Sequence, residues 1–351
     1  MTDDWNLVKN VLCIRLDTIG DVLMTTPAIR AVKESHPSRR ITLLTSKAGA
    51  ATGLLVPEVD DVIIYDAPWL KATSPRTDSS LEYKMAKQLR RSHFDAAIIF
   101  TVYSQNPLPS AFLCYLADIP LRLAHCHENP YQLLTHWVKD PEPESFIRHE
   151  VRRQLDLVAT VGCQTMNEGM SIRASEQAAC RVQDIIQELS LERWAVIHPG
   201  ATAPSRRYPP EGFASVARHL VNLGISVVFT GTEPERELIE AIKMATGVPT
   251  HSLVGKLDLG ELVALLAIAP VLIANNTGPV HIAAALGTPV VDLYALTNPQ
   301  HTPWGVSHRV LFHDVPCKYC YKSICPQVHH NCLQLVTPES VVRATCELLD
   351  L

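Results

Sequence analysis

The sequence predicts an α/β protein built from two doubly wound domains, each a parallel sheet covered by helices on both faces. Short runs rich in Val, Ile and Leu alternate with segments of helical periodicity nearly throughout the 351 residues. This alternation requires right-handed crossovers and therefore parallel sheets. Most of the strand-like runs are continuously apolar, which is typical of strands buried on both faces.

Eleven runs are predicted as strands, which is too many for one doubly wound sheet with a single switch point. In chain order they are Val11–Leu16, Ile41–Ser46, Val62–Asp66, Ala96–Thr101, Leu121–His125, Ala195–Pro199, Ser226–Gly231, Ser252–Val254, Val271–Ala274, Val290–Tyr294 and Val310–His313. The clearest helical segments between and after them are Asp21–Ser35, Ala174–Leu189, Pro210–Leu223, Glu233–Ala245, Glu261–Ala269 and Pro338–Leu349.

The two domains are expected to join near the polar helix Ala174–Leu189, which we interpret as the hinge region. We predict a first domain over 1–173, a second over 174–337 with a Cys-rich loop at 316–333, and a C-terminal helix over 338–351 that packs back on the first domain. An eight-fold α/β barrel is the alternative fold, and the clean restart of the pattern at Trp194 disfavours it. The segment Ala67–Ser80, rich in Pro, Ser and Thr, is predicted to be a surface loop.

Charge and hydropathy narrow the function class. The net charge of −5 gives no reason to expect a nucleic-acid partner. The longest apolar stretch, Leu262–Ala274, is interrupted by Pro270 and is too short to span a bilayer. The N-terminus is acidic and polar, unlike a signal peptide. We expect a cytoplasmic protein and leave open a peripheral contact with the inner face of the membrane.

The first stretch with chemical character follows the first predicted strand and reads RLDTIGDV from Arg15. Gly20 is expected to allow a tight turn, with Asp21 in the first turn of the next helix. One interpretation makes Asp21 a carboxylate placed favourably at a helix N-terminus. The other makes it a general base at the carboxyl end of a strand, beside Asp17 and Thr18.

Two further stretches are typical of phosphate binding. Arg206 and Arg207 follow the small-residue loop after a predicted strand, and guanidinium groups suit phosphate oxygens, although a solvated basic pair is the alternative. The turn at Asn276, Thr277 and Gly278 opens an Ala-rich helix, and such a helix start can bind an anion or serve only as an N-cap.

Histidines and arginines elsewhere are given structural interpretations. His198 and His281 lie at element junctions, where a hydrogen-bonded structural histidine is the simpler reading. Arg148, Arg152 and Arg153 share a predicted helix and are expected on a solvated face, unless an anionic lipid acceptor contacts them.

Four cysteines form C-x2-C-x4-C-x6-C: Cys317, Cys320, Cys325 and Cys332. Thiols at such spacing in a reducing compartment predict a structural zinc or iron site. The alternative is a loop of reduced thiols that shapes the ligand-binding cleft expected between the two domains. In either case we expect the cysteines to take no part in catalysis.

At these stretches the sequence resembles glycosyltransferase family 9, the ADP-heptose:lipopolysaccharide heptosyltransferases. The resemblance covers nearly the whole chain, through IRLDTIGDVLMTTPAI, VIHPGA, RRYPP and NNTGPVHIAAALGTPVVDLY. It implies the GT-B architecture with two Rossmann-like domains, the acceptor in the first domain and the nucleotide sugar in the second. It also implies inverting, metal-independent transfer of a heptose or similar sugar from ADP-heptose to a lipid-linked core oligosaccharide.

The resemblance also assigns roles to residues. Asp21 matches the catalytic base, and Arg15, Asp17, Thr18 and Gly20 surround it on the acceptor side. On the donor side the matching residues are Arg206, Arg207, Glu235, Asn276, Thr277, Gly278 and His281, with Glu235 placed on the ribose hydroxyls. The family often has Asp where this chain has Asn276, so the charge expected there is missing.

Several alternatives stay open at this point. The acceptor could be a protein rather than a lipid-linked oligosaccharide. A GT-B-like sugar-nucleotide epimerase would use the same donor with no acceptor. A nucleotide-binding scaffold module would bind nucleotide without turnover.

Overall fold

The computed structural model describes residues 3–71 and 73–351. Position 72, within the predicted loop Ala67–Ser80, lies outside the described residues. The chain forms two compact units, Met1–Ser171 and Ile172–Leu351. Each unit is built around a six-stranded sheet in which all pairings are parallel. The predicted fold class, two doubly wound α/β domains, is therefore confirmed.

The first unit has the strand order β3-β2-β1-β4-β5-β6. Its strands are β1 (Asn10–Arg15), β2 (Arg40–Thr45), β3 (Asp61–Ile64), β4 (Ala96–Ile99), β5 (Leu121–Cys126) and β6 (His136–Lys139). Its helices are α1 (Ile19–Glu34), α2 (Lys47–Gly53), α3 (Ser80–Arg91), α4 (Leu108–Leu116) and α5 (Glu150–Ala159), after a 3-10 turn at Asp3–Leu7. Central strands are apolar on both faces because helices cover both.

The second unit has the order β12-β11-β10-β7-β8-β9. Its strands are β7 (Trp194–His198), β8 (Ser226–Phe229), β9 (His251–Ser252), β10 (Leu272–Asn275), β11 (Val290–Leu293) and β12 (His308–Leu311). Its helices are α6 (Glu176–Glu188), α7 (Pro210–Asn222), α8 (Arg236–Thr246), α9 (Leu259–Ile268), α10 (Gly278–Leu286), α11 (Asn331–Gln334) and α12 (Pro338–Leu348), with 3-10 turns at Pro204–Arg206 and Glu233–Glu235.

The start of the second unit and the packing of its last helix differ from what the sequence predicted. The boundary between the units falls after Ser171, close to the predicted 173. Helix α6, interpreted as a hinge, packs on α9. Helix α12, expected to return to the first domain, packs on α7 and β11 of its own unit, where Val341 and Ala344 join the core.

The basic residues predicted on this helix form ion pairs instead of a solvated face, with Arg153 on α5 and Arg148 just before it. Arg153 is 1% exposed and donates to both carboxylate oxygens of Asp140 and to Glu142. Arg148 pairs with Glu142 and Asp156. A buried guanidinium is tolerated only when carboxylates satisfy it, so these contacts fasten the Pro-rich segment before α5 to the helix.

No helix in the described part of the chain is long and apolar enough to cross a membrane. All ten cysteines lie within the described residues, and each is unpaired.

Candidate active site

The predicted site residues collect at the switch point of each sheet. In the first sheet the chain reverses between the neighbours β1 and β4, and in the second between β7 and β10. Connections leave such a pair in opposite directions, so a crevice forms beyond the carboxyl ends of the two strands. RLDTIGDV follows β1, HPGA follows β7 and NNTGP follows β10.

In the first unit, a buried guanidinium organises the crevice. Arg15 ends β1 with a fully buried side chain, and its nitrogens contact three carboxylates. The distances are 3.0 Å to Asp17, 3.1 Å to Asp21 and 2.7 Å to Glu150. Glu150 was not predicted, because it lies on α5, 135 positions away along the chain, where no local pattern marks it.

The two aspartates beside Arg15 have different surroundings. Asp21 Oδ2 accepts from the Thr18 backbone N–H at 3.1 Å and from the Thr18 hydroxyl at 2.8 Å, as part of a capping box. Asp17 accepts from Gln105 Nε2 at 2.6 Å. Burial raises the pKa of Asp17 to about 6, aided by the charge of Asp21 and opposed by that of Arg15.

Gly20 lies inside helix α1 and not in the turn that was predicted to precede the helix. The helix begins at Ile19, so Gly20 is its second residue and is buried.

In the second unit, Asn275 ties the two switch-point loops together. This residue ends β10 and is fully buried. Its Nδ2 donates to the Pro199 carbonyl at 2.7 Å, and its Oδ1 accepts from the Tyr208 backbone N–H at 2.9 Å. The loop after β7 and the segment that carries Arg206 are therefore held against the end of β10. Sequence reasoning quoted this asparagine but gave it no role.

The next residue, Asn276, is committed to the interior. Its Nδ2 donates to Asp292 Oδ2 at 2.9 Å and to the His301 carbonyl at 2.9 Å. Asp292 lies on β11 with no exposure, and its Oδ1 has no hydrogen-bond partner among the described residues. Both acceptors need a donor, which an amide supplies and an ionised carboxylate does not. An amide at position 276 therefore fits both acceptors.

The first turn of α10 receives no capping hydrogen bond from the side chain of its N-cap residue. Thr277 is the N-cap of α10, but its hydroxyl donates to the Asn275 carbonyl at 3.1 Å instead of accepting from the first turn. Gly278 follows as the first helical residue, and His281 lies buried further along the same helix. Backbone N–H groups at such a helix start attract anions.

The structure separates the two predicted phosphate-binding arginines. Arg206 is half-buried near Tyr294: burial raises the pKa of the Tyr294 hydroxyl, and the charge of Arg206 opposes that rise. Arg207 is exposed, donates to the Ala201 carbonyl at 2.8 Å and lines a cavity of about 430 Å³ that also contains Phe213. Arg206 thus lies near Tyr294, the residue that follows β11.

Glu235 rests on the loop after β7. Its Oε2 accepts from the backbone N–H and the hydroxyl of Thr232, each at 2.8 Å. A Cβ at Gly200 would lie 1.9 Å from Glu235 Oε1, so only glycine allows this approach. His198 behind it is buried, contacts Thr230 Oγ1 at 3.1 Å and has a pKa lowered by burial. A neutral, structural histidine is consistent with these contacts.

The cysteine loop encloses a cavity but does not form a ligand set. Cys317, Cys320, Cys325 and Cys332 line a space of about 20 Å³ together with His329. Cys317 Sγ lies 3.7 Å from His329 Nε2. Among the described residues, however, no group of three or more His, Cys, Asp or Glu is arranged to hold a metal ion. The predicted zinc or iron site thus has no support in this geometry.

We predict that Asp292→Asn changes how stability depends on pH. Burial raises the pKa of Asp292 to about 8, offset only in part by the bond from Asn276. An unfolded aspartate titrates near pH ~4, so between these values the folded state binds more protons and loses stability as pH rises. Relative to Asp292→Asn, the wild-type protein should lose up to about 1.4 kcal/mol per pH unit in this window.

Urea unfolding of both proteins at a series of pH values measures this difference. The exposed Asp118→Asn is the matched control and should track the wild type. A constant gap between wild type and Asp292→Asn from about pH 5 to pH 8 would contradict the prediction.

Comparison with known proteins agrees with this geometry. The family model described as glycosyltransferase family 9 (heptosyltransferase) matches residues 82–330, about two thirds of the chain. Lipopolysaccharide heptosyltransferase 2 of Salmonella typhimurium is 26% identical over 97% of this chain and 98% of its own length.

Solved structures show the same fold. A glycosyl transferase family 9 protein from Veillonella parvula superposes with a TM-score of 0.79 at 23% identity, covering 97% of each chain. E. coli ADP-heptose LPS heptosyltransferase II gives 0.73 at 24% identity, covering 97% of this chain and 98% of its own. The predicted GT-B fold class is confirmed, and the chain belongs to glycosyltransferase family 9, the heptosyltransferase family, as the resemblance of its motifs implied.

Proposed function

We propose that the protein transfers a heptose from ADP-heptose to a core oligosaccharide of lipopolysaccharide. The observation that carries this is the second switch point, where an uncapped helix start, Arg206 and Glu235 surround the ends of β7 and β10. Relatives named lipopolysaccharide heptosyltransferase align over nearly the full chain. A protein acceptor would leave the donor chemistry unchanged.

The donor diphosphate would lie at the start of α10. The backbone N–H groups of the Thr277–Gly278 turn and of the first turn of α10 would donate hydrogen bonds to its oxygens, and Arg206 would contribute a guanidinium. As the bond to the sugar breaks, negative charge grows on the leaving diphosphate. Groups fixed in advance by Asn275 and Asn276 stabilise that charge without having to reorganise. Glu235 would accept hydrogen bonds from the ribose hydroxyls.

The acceptor hydroxyl needs a base for inverting transfer. Asp21 would remove its proton while the oxygen attacks the sugar carbon on the face opposite the diphosphate. The side chain of Asp21 is 19% exposed, and Arg15 and Thr18 fix its orientation. We place the proposed reaction on the cytoplasmic side of the membrane, where nucleotide sugars are available.

The donor assignment predicts selective stabilisation by adenine nucleotides. At a hundred times its dissociation constant, ADP or ADP-heptose should stabilise the protein by about 2.7 kcal/mol, a rise in Tm of roughly 5–10 °C. Arg206→Ala should lose most of the ADP shift and keep that of adenosine. Arg207→Ala is the matched comparison, because Arg207 is exposed and its guanidinium is bonded to the Ala201 carbonyl, and it should keep both shifts.

Thermal unfolding with ADP, UDP, GDP and their sugar forms measures this. A shift with UDP or GDP compounds alone would contradict the adenine donor. Absence of any shift would leave the donor assignment to Arg206, Glu235 and Thr277 without support, and equal losses of the ADP and adenosine shifts in Arg206→Ala would remove its phosphate role.

Asp21→Asn should reduce transfer by about 10²–10⁴-fold, the usual contribution of a general base, because the amide cannot take the proton. The amide keeps the size of the side chain and can still accept from Thr18. The ADP-induced rise in Tm should therefore match that of the wild type. Product formation from ADP-heptose and a core oligosaccharide is the measurement, and a variant that retains near wild-type turnover would place the base elsewhere.

The cysteine loop remains a proposed zinc or iron site. The support is the spacing of the four thiols along the sequence, and occupation would require the thiols to rearrange into a ligand set. Protein purified without added metal should then contain about one ion per chain, and a chelator should lower its Tm. Metal-free protein with an unchanged Tm in chelator would overturn this proposal, leaving a loop of reduced thiols.

A further inference from the structure

A cavity of about 280 Å³ opens at the switch point of the first sheet. Its walls come from the ends of the neighbouring strands β1 and β4, through Leu16, Asp17 and Phe100. It therefore occupies the place where open α/β sheets bind ligands. Its volume is just under the lower end of the range of about 300–1,000 Å³ typical of drug-sized ligands, which suits a single sugar ring.

The lining combines an aromatic wall with hydrogen-bonding groups. Trp69, from the loop after β3, contributes an indole whose ring is held edge-on by Tyr65 at 5.8 Å. The lining also contains the polar side chains of Asp17, Ser104 and Gln105. An aromatic face for the C–H side of a sugar, with a few fixed polar groups for its hydroxyls, is the arrangement a carbohydrate requires.

Asp17 is fixed in this wall by both of its oxygens. Its Oδ1 accepts from Gln105 Nε2 and its Oδ2 contacts Arg15 Nε, and each oxygen has capacity for a further donor. A sugar hydroxyl that donates to this carboxylate makes a charge-assisted hydrogen bond. The carboxylate thus selects for hydroxyl donors.

The charge around the cavity is negative. The single guanidinium of Arg15 faces three carboxylates, so the cluster has an excess of negative charge. At the rim, Asn106 donates to Glu128 at 2.9 Å. No lysine, arginine or histidine lines this cavity in residues 3–71 and 73–351. A carboxylated sugar would meet like charge and find no cation, whereas an uncharged sugar would not be repelled.

We propose that this cavity binds one uncharged sugar ring of the acceptor, that Asp17 and Trp69 contact it, and that sugar acids are rejected. The proposal rests on the proposed glycosyl transfer only in calling this sugar the acceptor. Asp17 then positions the acceptor beside Asp21, with which it shares the Arg15 guanidinium.

Saturation-transfer NMR without donor tests the cavity directly. The probes are methyl α-D-mannopyranoside and its uronate, which differ only in a hydroxymethyl group and a carboxylate. We expect the uronate to bind at least about tenfold more weakly, a difference of about 1.4 kcal/mol. In Asp17→Asn the mannoside should bind more weakly and the gap between the probes should shrink to about threefold or less. Trp69→Ala should weaken the mannoside, whereas the control Trp137→Ala, outside the lining, should not.

Three results would overturn the proposal: no mannoside binding, uronate binding as tight as that of the mannoside, or unchanged binding in both Asp17→Asn and Trp69→Ala. Matching Tm values keep misfolded variants out of the comparison, and Trp69→Ala leaves the ion cluster of Arg15 intact. Sugar binding in a protein that shows no ADP shift and no transfer would leave this site standing and sink the proposed function. An ADP shift without sugar binding would leave the proposed function standing and overturn the sugar site.

Discussion

The reversal of strand order in each sheet is the constraint on which the rest of the structure depends. Between β1 and β4, and again between β7 and β10, the connections diverge and cannot cover the carboxyl ends of both strands. Asp21, Arg206 and Thr277 lie on loops or helix starts that follow three of these four strands. The central strands of each sheet are apolar and hold these ends in register.

Buried polar side chains then fix the loops at each reversal. Arg15 and Asn275 both end a central strand, both are fully buried, and both are satisfied by partners far away in sequence. An unsatisfied group of either kind would cost several kcal/mol, so the loops they hold have little freedom to rearrange. This is the rigidity that electrostatic stabilisation of a leaving group requires. Burial at the first of these ends raises the pKa of Asp17, and the charge of Arg15 opposes that rise.

The fold was predictable because strand and helix patterns alternate along nearly the whole chain, and each of the eleven predicted strands overlaps an observed one. Among the described residues the strand that was not predicted is β6, His136–Lys139, a short edge strand with alternating exposure and no continuous apolar run. The position of a candidate site residue was predictable where a motif is local, as for Asp21 in the first turn of α1 and Thr277 at the start of α10. Partners brought in by tertiary packing, such as Glu150 and Gln105, have no local signature. For the same reason Arg153 was assigned to a solvated face although it is buried.

Asn276 shows how a departure from a family pattern can be compensated within the same site. The carboxylate missing at this position is present one strand away as Asp292, hydrogen-bonded to the Asn276 amide. Because burial raises the pKa of Asp292 to about 8, this carboxyl group is largely protonated at neutral pH. The turn that starts α10 is thus organised by an acid without carrying a full negative charge. A diphosphate approaching that helix start meets the backbone N–H groups and Arg206 with little opposing charge from the turn itself, which favours the binding of an anion at this position.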